Sequence, residues 1–459
     1  MIKLINHKKL VIFSLILVFV ITTGLKCGGP PGGLTEGKPK PVTLDYWKVW
    51  EGKSNIDPLI DAYQKKNPHV KINYRNLTYE EFEYELLNAL AVDRGPDIFS
   101  IHTTWMKDYL DKIQPLPAQI TTSRLVIRGT IQEKAFTEKR TQNTLNLRDL
   151  RTLYPEVVYQ NQYINNQIYG LPLSIDTMAL YSNRDLLNNA GIVSPPKTWN
   201  DFQDQVVKIT RQSPQGDILI AGAAIGTAEN VSRSPDILSL LMLQNGAQMF
   251  DERGRIAFDE TPEGSSINPG RQALNFYNSF ASPAKQVYTW NSNLDNSLQE
   301  FMSGKVAFYF GYAYDLPTIK AQAPQLNFEV SAMPQISEQT PNKINYASYW
   351  AETVSNKSQY IDEAWDFILF MTTQAEQNKK YLDKANKPCA LKSLIKEQSE
   401  DIELSAFVNQ LLTAQSWYKG RNVQQAEEIF KTMISENLAG LAPTREIIKT
   451  AVLQLNRIY

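Results

Sequence analysis

Residues 42–101 read VTLDYWKVW EGKSNIDPLI DAYQKKNPHV KINYRNLTYE EFEYELLNAL AVDRGPDIFS I. Val42–Trp50 alternates apolar and polar side chains, the period of a half-buried strand. Ile56–Lys66 then carries apolar residues at helical spacing and stops at Asn67-Pro68. Val70–Tyr74 reads as a second strand. Thr78 is placed to cap a helix over 78–92, with Glu81 three residues on and Leu86, Leu87 and Leu90 on one face. Gly95-Pro96-Asp97 breaks that helix and leads into the apolar strand Ile98–Ile101. Strand, helix, strand, helix, strand is the alternation of an α/β sheet with parallel strands. Ligands of such sheets lie beyond the carboxyl ends of the strands. That edge carries Trp47–Trp50 and His102–Trp105.

The whole chain has 459 residues, more than one hydrophobic core serves, so two large lobes are expected. Hydrophobic content of 42% beside 21% charged residues is ordinary for a soluble globular protein. A formal net charge of −1 gives no electrostatic reason to expect nucleic acid as a partner. The 22 tyrosines and 8 tryptophans leave some aromatic surface for a ligand after the core is served. His7, His69 and His102 are scattered and only two cysteines exist, which argues against a structural zinc site. No cofactor or metal is expected.

The first residues read as a targeting segment. Lys3, His7, Lys8 and Lys9 precede the uncharged apolar run Leu10–Val20, and Cys27 follows closely. A cysteine in that place predicts a bacterial lipoprotein signal over 1–26, with lipid on Cys27. Gly24 and Lys26 depart from the residues such signals prefer, and an uncleaved N-terminal anchor is the other reading. Either puts the mature chain outside the cytoplasm and at a membrane. Residues 27–41 are nearly all Gly, Pro and charge and are expected to be a flexible tether. Cys389 is expected to be a packed thiol. Residues 121–150 are polar and poorly periodic, with Gly129 the one Gly or Pro, and read as an excursion with some helix. Helices dominate after Thr198.

Four stretches carry a family resemblance. Tyr63–Pro68 is followed by a strand, a helix and Gly95-Pro96-Asp97. Tyr169–Asn183 reads YGLPLSIDTMALYSN and continues through RDLLNNAGI to PPKTWNDF, ending at Phe202. Phe301–Gly311 reads FMSGKVAFYFG, with Tyr312 and Tyr314 after it. Ala347–Thr372 joins an aromatic-flanked strand to SNKS and EAWDFILFM, and KPCALKS follows at Lys387. In order and spacing these resemble the family 1 extracellular solute-binding proteins of ABC importers. Arg184 in place of the usual lysine, Tyr349-Trp350 in place of frequent glycines, and the 121–150 insert depart from the pattern.

The resemblance implies a two-lobed α/β fold of the periplasmic-binding-protein type (type II), each lobe a mixed sheet flanked by helices, with the cleft at the hinge. Lobe 1 would take residues 42–174 and 332–405, lobe 2 residues 175–331, and the helices of 406–459 would pack on lobe 2. The crossing segments would be Leu173–Thr177 and Val330–Pro334. A monomer would close around a small solute, a sugar as the first expectation, and present the closed form to an ABC permease in the membrane. Sugars need flat aromatic faces and planar polar groups together. The stacking candidates are Trp47, Trp50, Trp105, Tyr312, Tyr314, Tyr349, Trp350 and Trp417. Those for hydroxyl recognition are Asp97, Asp176, Glu229, Asn230 and Glu352. Trp199 and Trp365 fit helix-core positions.

Two other readings compete. Asp97, Asp176, Glu229, Asp315 and Glu352 beside aromatics would equally suit a polyamine. A secreted carbohydrate-active enzyme with two carboxylates is the alternative of another class. Against it, no acid sits in a recognisable catalytic motif, and no nucleophile elbow, P-loop or zinc-protease signature is present.

Overall fold

A computed structural model describes residues 34–130 and 132–459. The signal segment 1–26 and Cys27 lie outside the described residues. The chain builds two mixed sheets. In the first, the strand order is Leu171–Pro172, Trp350–Ser355, Ile98–His102, Val42–Val49, Val70–Leu77. Val42–Val49 runs parallel to both Val70–Leu77 and Ile98–His102, as the alternation of residues 42–101 requires. Trp350–Ser355 returns antiparallel and sets Trp350 opposite His102. Helices Lys53–Lys66 and Tyr79–Ala91 supply the crossovers, the second opened by the Thr78/Glu81 capping box.

The second sheet has the order Arg211–Gln212, Ile218–Ala223, Val306–Gly311, Ala179–Asn183, Phe328–Ser331. Its core is aromatic. Trp199 and Phe202, from helix Trp199–Ile209, meet Phe276, Phe280, Phe308 and Phe310 at centroid separations of 5.4–6.1 Å. Phe202, Phe280 and Phe308 are fully buried, and each such ring contributes about 2–3 kcal/mol by burial. In the first lobe Tyr46 and Tyr63 pack on Phe367 of helix Ile361–Thr373. Beneath Tyr46 lies a buried polar group. Glu352, fully buried, pairs with Lys48 and accepts from Tyr46 Oη at 2.8 Å and Ser100 Oγ at 2.6 Å.

A small third sheet joins the lobes. Asp176–Thr177 pairs with Ala347–Ser348, and Asn345–Tyr346 runs parallel to Ala414–Gln415. Leu171–Pro172 belongs to the first sheet and Ala179–Asn183 to the second, so the chain changes lobe between them. The return differs from expectation. Phe328–Ser331 stays in the second sheet, paired with Leu180–Asn183, and the chain comes back through Asn345–Ser348 to Trp350. Helix Val423–Ala439 packs on Pro269–Ser279 and Ser234–Gln244. Its start also reaches the first lobe: Asn422 N–H donates to Asp108 Oδ2 at 2.8 Å, and Gln424 Nε2 to Glu83 Oε2 at 3.2 Å.

Two expectations are corrected. Residues 119–143 are not helical but a hairpin of ten-residue strands, Gln119–Arg128 and Lys134–Asn143, in continuous antiparallel register. The β-branched run ITT…VI favours extended backbone, and Gly129 supplies a positive φ of 111° after the first strand. Helix appears only at Leu147–Leu153, behind an Asn146/Asp149 capping box. The tether also ends early. Leu34–Glu36 adds a third strand to the hairpin, with Leu34 buried, because the edge of Lys134–Asn143 offers open backbone partners.

Candidate functional site

A narrow cleft of about 40 Å³, partly open to solvent, lies where the carboxyl end of Ile98–His102, the linking strands and the amino end of helix Ser234–Gln244 meet. The start of helix Val423–Ala439 forms its fourth wall. Arg233 caps the helix in a left-handed conformation, φ 57° and ψ 34°, which is uncommon for a side-chain-bearing residue. Its Nε and Nη2 donate to the two oxygens of Asp236 at 2.8 and 2.9 Å, and Nη2 also reaches Glu427 Oε1 at 3.0 Å. Tyr312 Oη donates to Asp236 Oδ2 at 2.8 Å. Burial opposes the Arg233 charge, but Asp236 and Glu427 outweigh it and raise its pKa above the ordinary arginine value. The bidentate fork fixes the guanidinium plane.

His102 stands across from this group. The Thr104 N–H points at its Nδ1 at 3.4 Å, so Nδ1 accepts and Nε2–H donates to Ser348 Oγ at 3.0 Å. Burial, and then the nearby Arg233 charge, lower the imidazole pKa to about 4. The ring is therefore neutral at physiological pH. Aromatic walls come from Tyr346, Trp417 and Phe430. Trp417 is nearly buried, with its Nε1 on Ser239 Oγ at 2.8 Å.

Asp176 sits on the linking strand. Its oxygens accept from Ala313 N–H at 3.1 Å and Tyr314 N–H at 3.3 Å. Burial drives its pKa up to about 7 despite those amides, and the Asp315 carboxylate adds to the rise. Tyr314 is 50% exposed and stacks on buried Tyr312 at 5.4 Å. At the end of Val42–Val49, Trp50 is 62% exposed with φ 55°, its ring stacked on Tyr79 at 5.3 Å. Tyr79 in turn meets Trp350 at 6.3 Å, and Trp350 meets the cleft residue His102 at 5.3 Å, which ties this aromatic group to the cleft.

Trp417, Asp176, Tyr312, Tyr314 and Trp50 thus lie in or beside the cleft, Tyr312 as the support of Asp236. The other candidates do not converge there. Trp105 and Tyr349 are buried. Trp105 stacks on Tyr109 at 5.8 Å, and the Tyr349 hydroxyl lies between Asn161 Nδ2 and the Val157 carbonyl. Trp350 is half-buried, edge-on to Trp105 and His102. Trp47 faces the helix side of the first sheet, under the Arg75 guanidinium at 4.6 Å. Strand alternation puts Trp47 on the same face as Val49, against the core under helix Tyr79–Ala91, which the edge argument did not weigh.

Asp97 lies at the amino end of Ile98–His102, opposite the ligand edge. It accepts from Asp45 N–H at 2.9 Å and Ser358 Oγ at 2.6 Å, and is a turn staple. Glu229 is an exposed surface acid with Lys431 3.9 Å away. Asn230 spends its amide on the carbonyls of Asn291 and Leu294, both at 2.9 Å, and accepts from Trp290 Nε1 at 3.1 Å. Glu352 is closed inside the first lobe. Sequence reasoning missed Arg233, Asp236, Ser348 and Glu427. The signal available was R-S-P-D at 233–236, where proline at the second helical position marks a helix start flanked by opposite charges.

A family profile described as bacterial extracellular solute-binding protein matches residues 50–378. Among curated proteins, the Multiple sugar-binding protein of Streptococcus mutans is 25% identical over 250 residues, covering 53% of this chain and 57% of that protein. The Arabinooligosaccharide-binding protein of Bacillus subtilis is 21% identical over 385 residues, covering 81% and 78%. Among solved structures, the cyclic alpha-maltosyl-1,6-maltose binding protein of Arthrobacter globiformis superposes with a TM-score of 0.70 at 18% identity, over 91% of this chain and 98% of that one. That likeness establishes the fold.

Proposed function

The chain belongs to the bacterial extracellular solute-binding protein family, and from that premise we propose that it captures a sugar or oligosaccharide and delivers it to an ABC permease. The observation that carries the reading is the balance of the cleft. Its one arginine is already paired with Asp236 and Glu427, its histidine is neutral, and aromatic faces stand beside hydroxyl and carboxylate groups. Paired charges and aromatic planes suit an uncharged polyhydroxyl ligand. The relatives named for sugars and for arabinooligosaccharides agree with this choice.

The lobes would divide along the linking strands, closing as a monomer about Asp176–Thr177 and Asn345–Ser348. Residues 1–27 would tether the chain to the membrane, by lipid on Cys27 or by the N-terminal segment itself. The polyamine reading loses ground because its acids are dispersed: Asp97 at the far edge, Glu229 on the surface, Glu352 in a buried ion pair. An enzyme would need an available acid or nucleophile, and the cleft's carboxylates are engaged by Arg233, Tyr312 and backbone amides.

A thermal-shift panel of mono- and oligosaccharides beside spermidine tests the proposal, since a tight ligand raises apparent stability by mass action. A sugar should stabilise the protein, with an affinity nearly independent of salt. Stabilisation by spermidine alone, fading as salt is added, would overturn the sugar reading.

A further inference from the structure

The hairpin Gln119–Arg128/Lys134–Asn143 takes no part in the cleft. Its inner half is fastened to the first lobe, where Thr121 N–H donates to Asp362 Oδ2 at 2.9 Å and Gln142 Nε2 to Asp366 Oδ1 at 3.0 Å. Residues 119–143 carry five basic side chains, Arg124, Arg128, Lys134, Lys139 and Arg140, against Glu133 and Glu138, in a chain whose net charge is −1. At the end of the ladder Arg128 lies directly opposite Lys134. Like charges directly opposite each other destabilise a hairpin, so this pairing is unexplained by folding alone. Glu36 meets Lys134 at 3.2 Å, and among the described residues Arg128 and Lys139 have no ion pair. Between the cations sit apolar groups: Val126 opposite Phe136, both half-buried, and Ile127, 51% exposed.

The entry of the chain says what could lie against this surface. Leu34–Glu36 pairs with Phe136–Glu138 of the hairpin, and Leu34 stands seven residues after Cys27, a reach of no more than about 25 Å. Any membrane tether at or before Cys27 therefore delivers the chain onto this sheet. We propose that the outer half of the hairpin is a foot that rests on anionic phospholipid headgroups, Arg128 and Lys134 at its end meeting the phosphates and Ile127 dipping among the glycerol backbones. The proposal rests on the membrane tethering put forward above. Cations flanking a short apolar stretch are the pattern that binds negatively charged lipid surfaces, and the fastened inner half would set the orientation of the first lobe over the membrane.

The test uses the full chain in vesicles of phosphatidylcholine, with or without phosphatidylglycerol. A polarity-sensitive thiol dye is placed at Ile127→Cys and, as a control, at Val193→Cys, which is 87% exposed in the other lobe. Cys389 is buried, and label on the parent chain is subtracted for Cys27. With phosphatidylglycerol the dye at 127 should shift to the blue and be quenched several-fold more by headgroup-borne quenchers, while the dye at 193 stays unchanged. Roughly 0.5 M salt should abolish the shift. So should R128E/K134E, whose thermal melting should otherwise match the parent. A chain that floats with the vesicles while the dye at 127 stays in water overturns the foot and leaves the tether standing. A chain that does not float overturns both.

Discussion

Trp50 and Arg233 hold positive φ angles of 55° and 57°, a conformation that costs a side-chain-bearing residue of order 1–3 kcal/mol. Both stand at the mouth or wall of the cleft, and the strain holds an indole out in water and a guanidinium against Asp236. Trp50→Ala should weaken sugar binding about tenfold, roughly 1.4 kcal/mol, through lost stacking, with little change in melting temperature because the ring is mostly exposed. Calorimetric titration checks it, and an unchanged affinity would mean that the platform lies outside the bound ligand. Asp176 gives a pH signature. Its pKa rises in the fold from an ordinary carboxylate value to about 7, so between pH 4 and 7 the native state binds more protons than the unfolded chain. Its contribution to stability is full below pH 4 and declines as pH rises toward 7. Asp176→Asn should flatten this decline, read as a smaller loss of melting temperature from pH 5 to 7.5. A variant with the parent's pH slope would show that the carboxylate titrates normally. Cleft polar residues such as Arg233 and Asp236 were hard to read from sequence because their partners lie far along the chain: Glu427 is 194 residues from Arg233, and Tyr312 is 76 from Asp236.

Elements were more legible, wherever a local rule acts without tertiary help. Apolar alternation and helical spacing gave the strands and helices of residues 42–101, and caps marked their starts. The same rule supports a stability prediction at Thr198, whose Oγ1 accepts from Asp201 N–H at 3.1 Å while Asp201 Oδ2 accepts from Thr198 N–H at 3.1 Å. Thr198→Ala should cost about 1 kcal/mol in urea unfolding, without altering ligand affinity. A loss well below about 0.5 kcal/mol would mean that the Trp199 core carries the helix start alone. The 119–143 hairpin went unread because its strands are polar on much of both faces, so the alternation that betrays a half-buried strand is faint. Leu34–Glu36 was hidden for another reason: it becomes a strand only because a free edge waits beside it.

At the scale of the molecule, three short strands link the lobes, and Asn422 and Gln424 reach across to Asp108 and Glu83. A hinge built so lightly should open when the cleft is empty. Small-angle scattering is expected to show a smaller radius of gyration when a stabilising sugar is added, and equal dimensions with several tight ligands would point to a rigid pocket. The α/β alternation and the solute-binding architecture were legible in the chain alone, because period, caps and ordered motifs are properties of neighbouring residues. Which aromatics stand near the cleft, and which acids are spent on turns or buried pairs, follows from contacts between distant parts of the chain. A Trp at a strand end reads the same whether its ring lies under Arg75, as Trp47 does, or stands in water, as Trp50 does. The difference comes from one step of strand alternation and one left-handed residue, and then from what the distant chain packs against them.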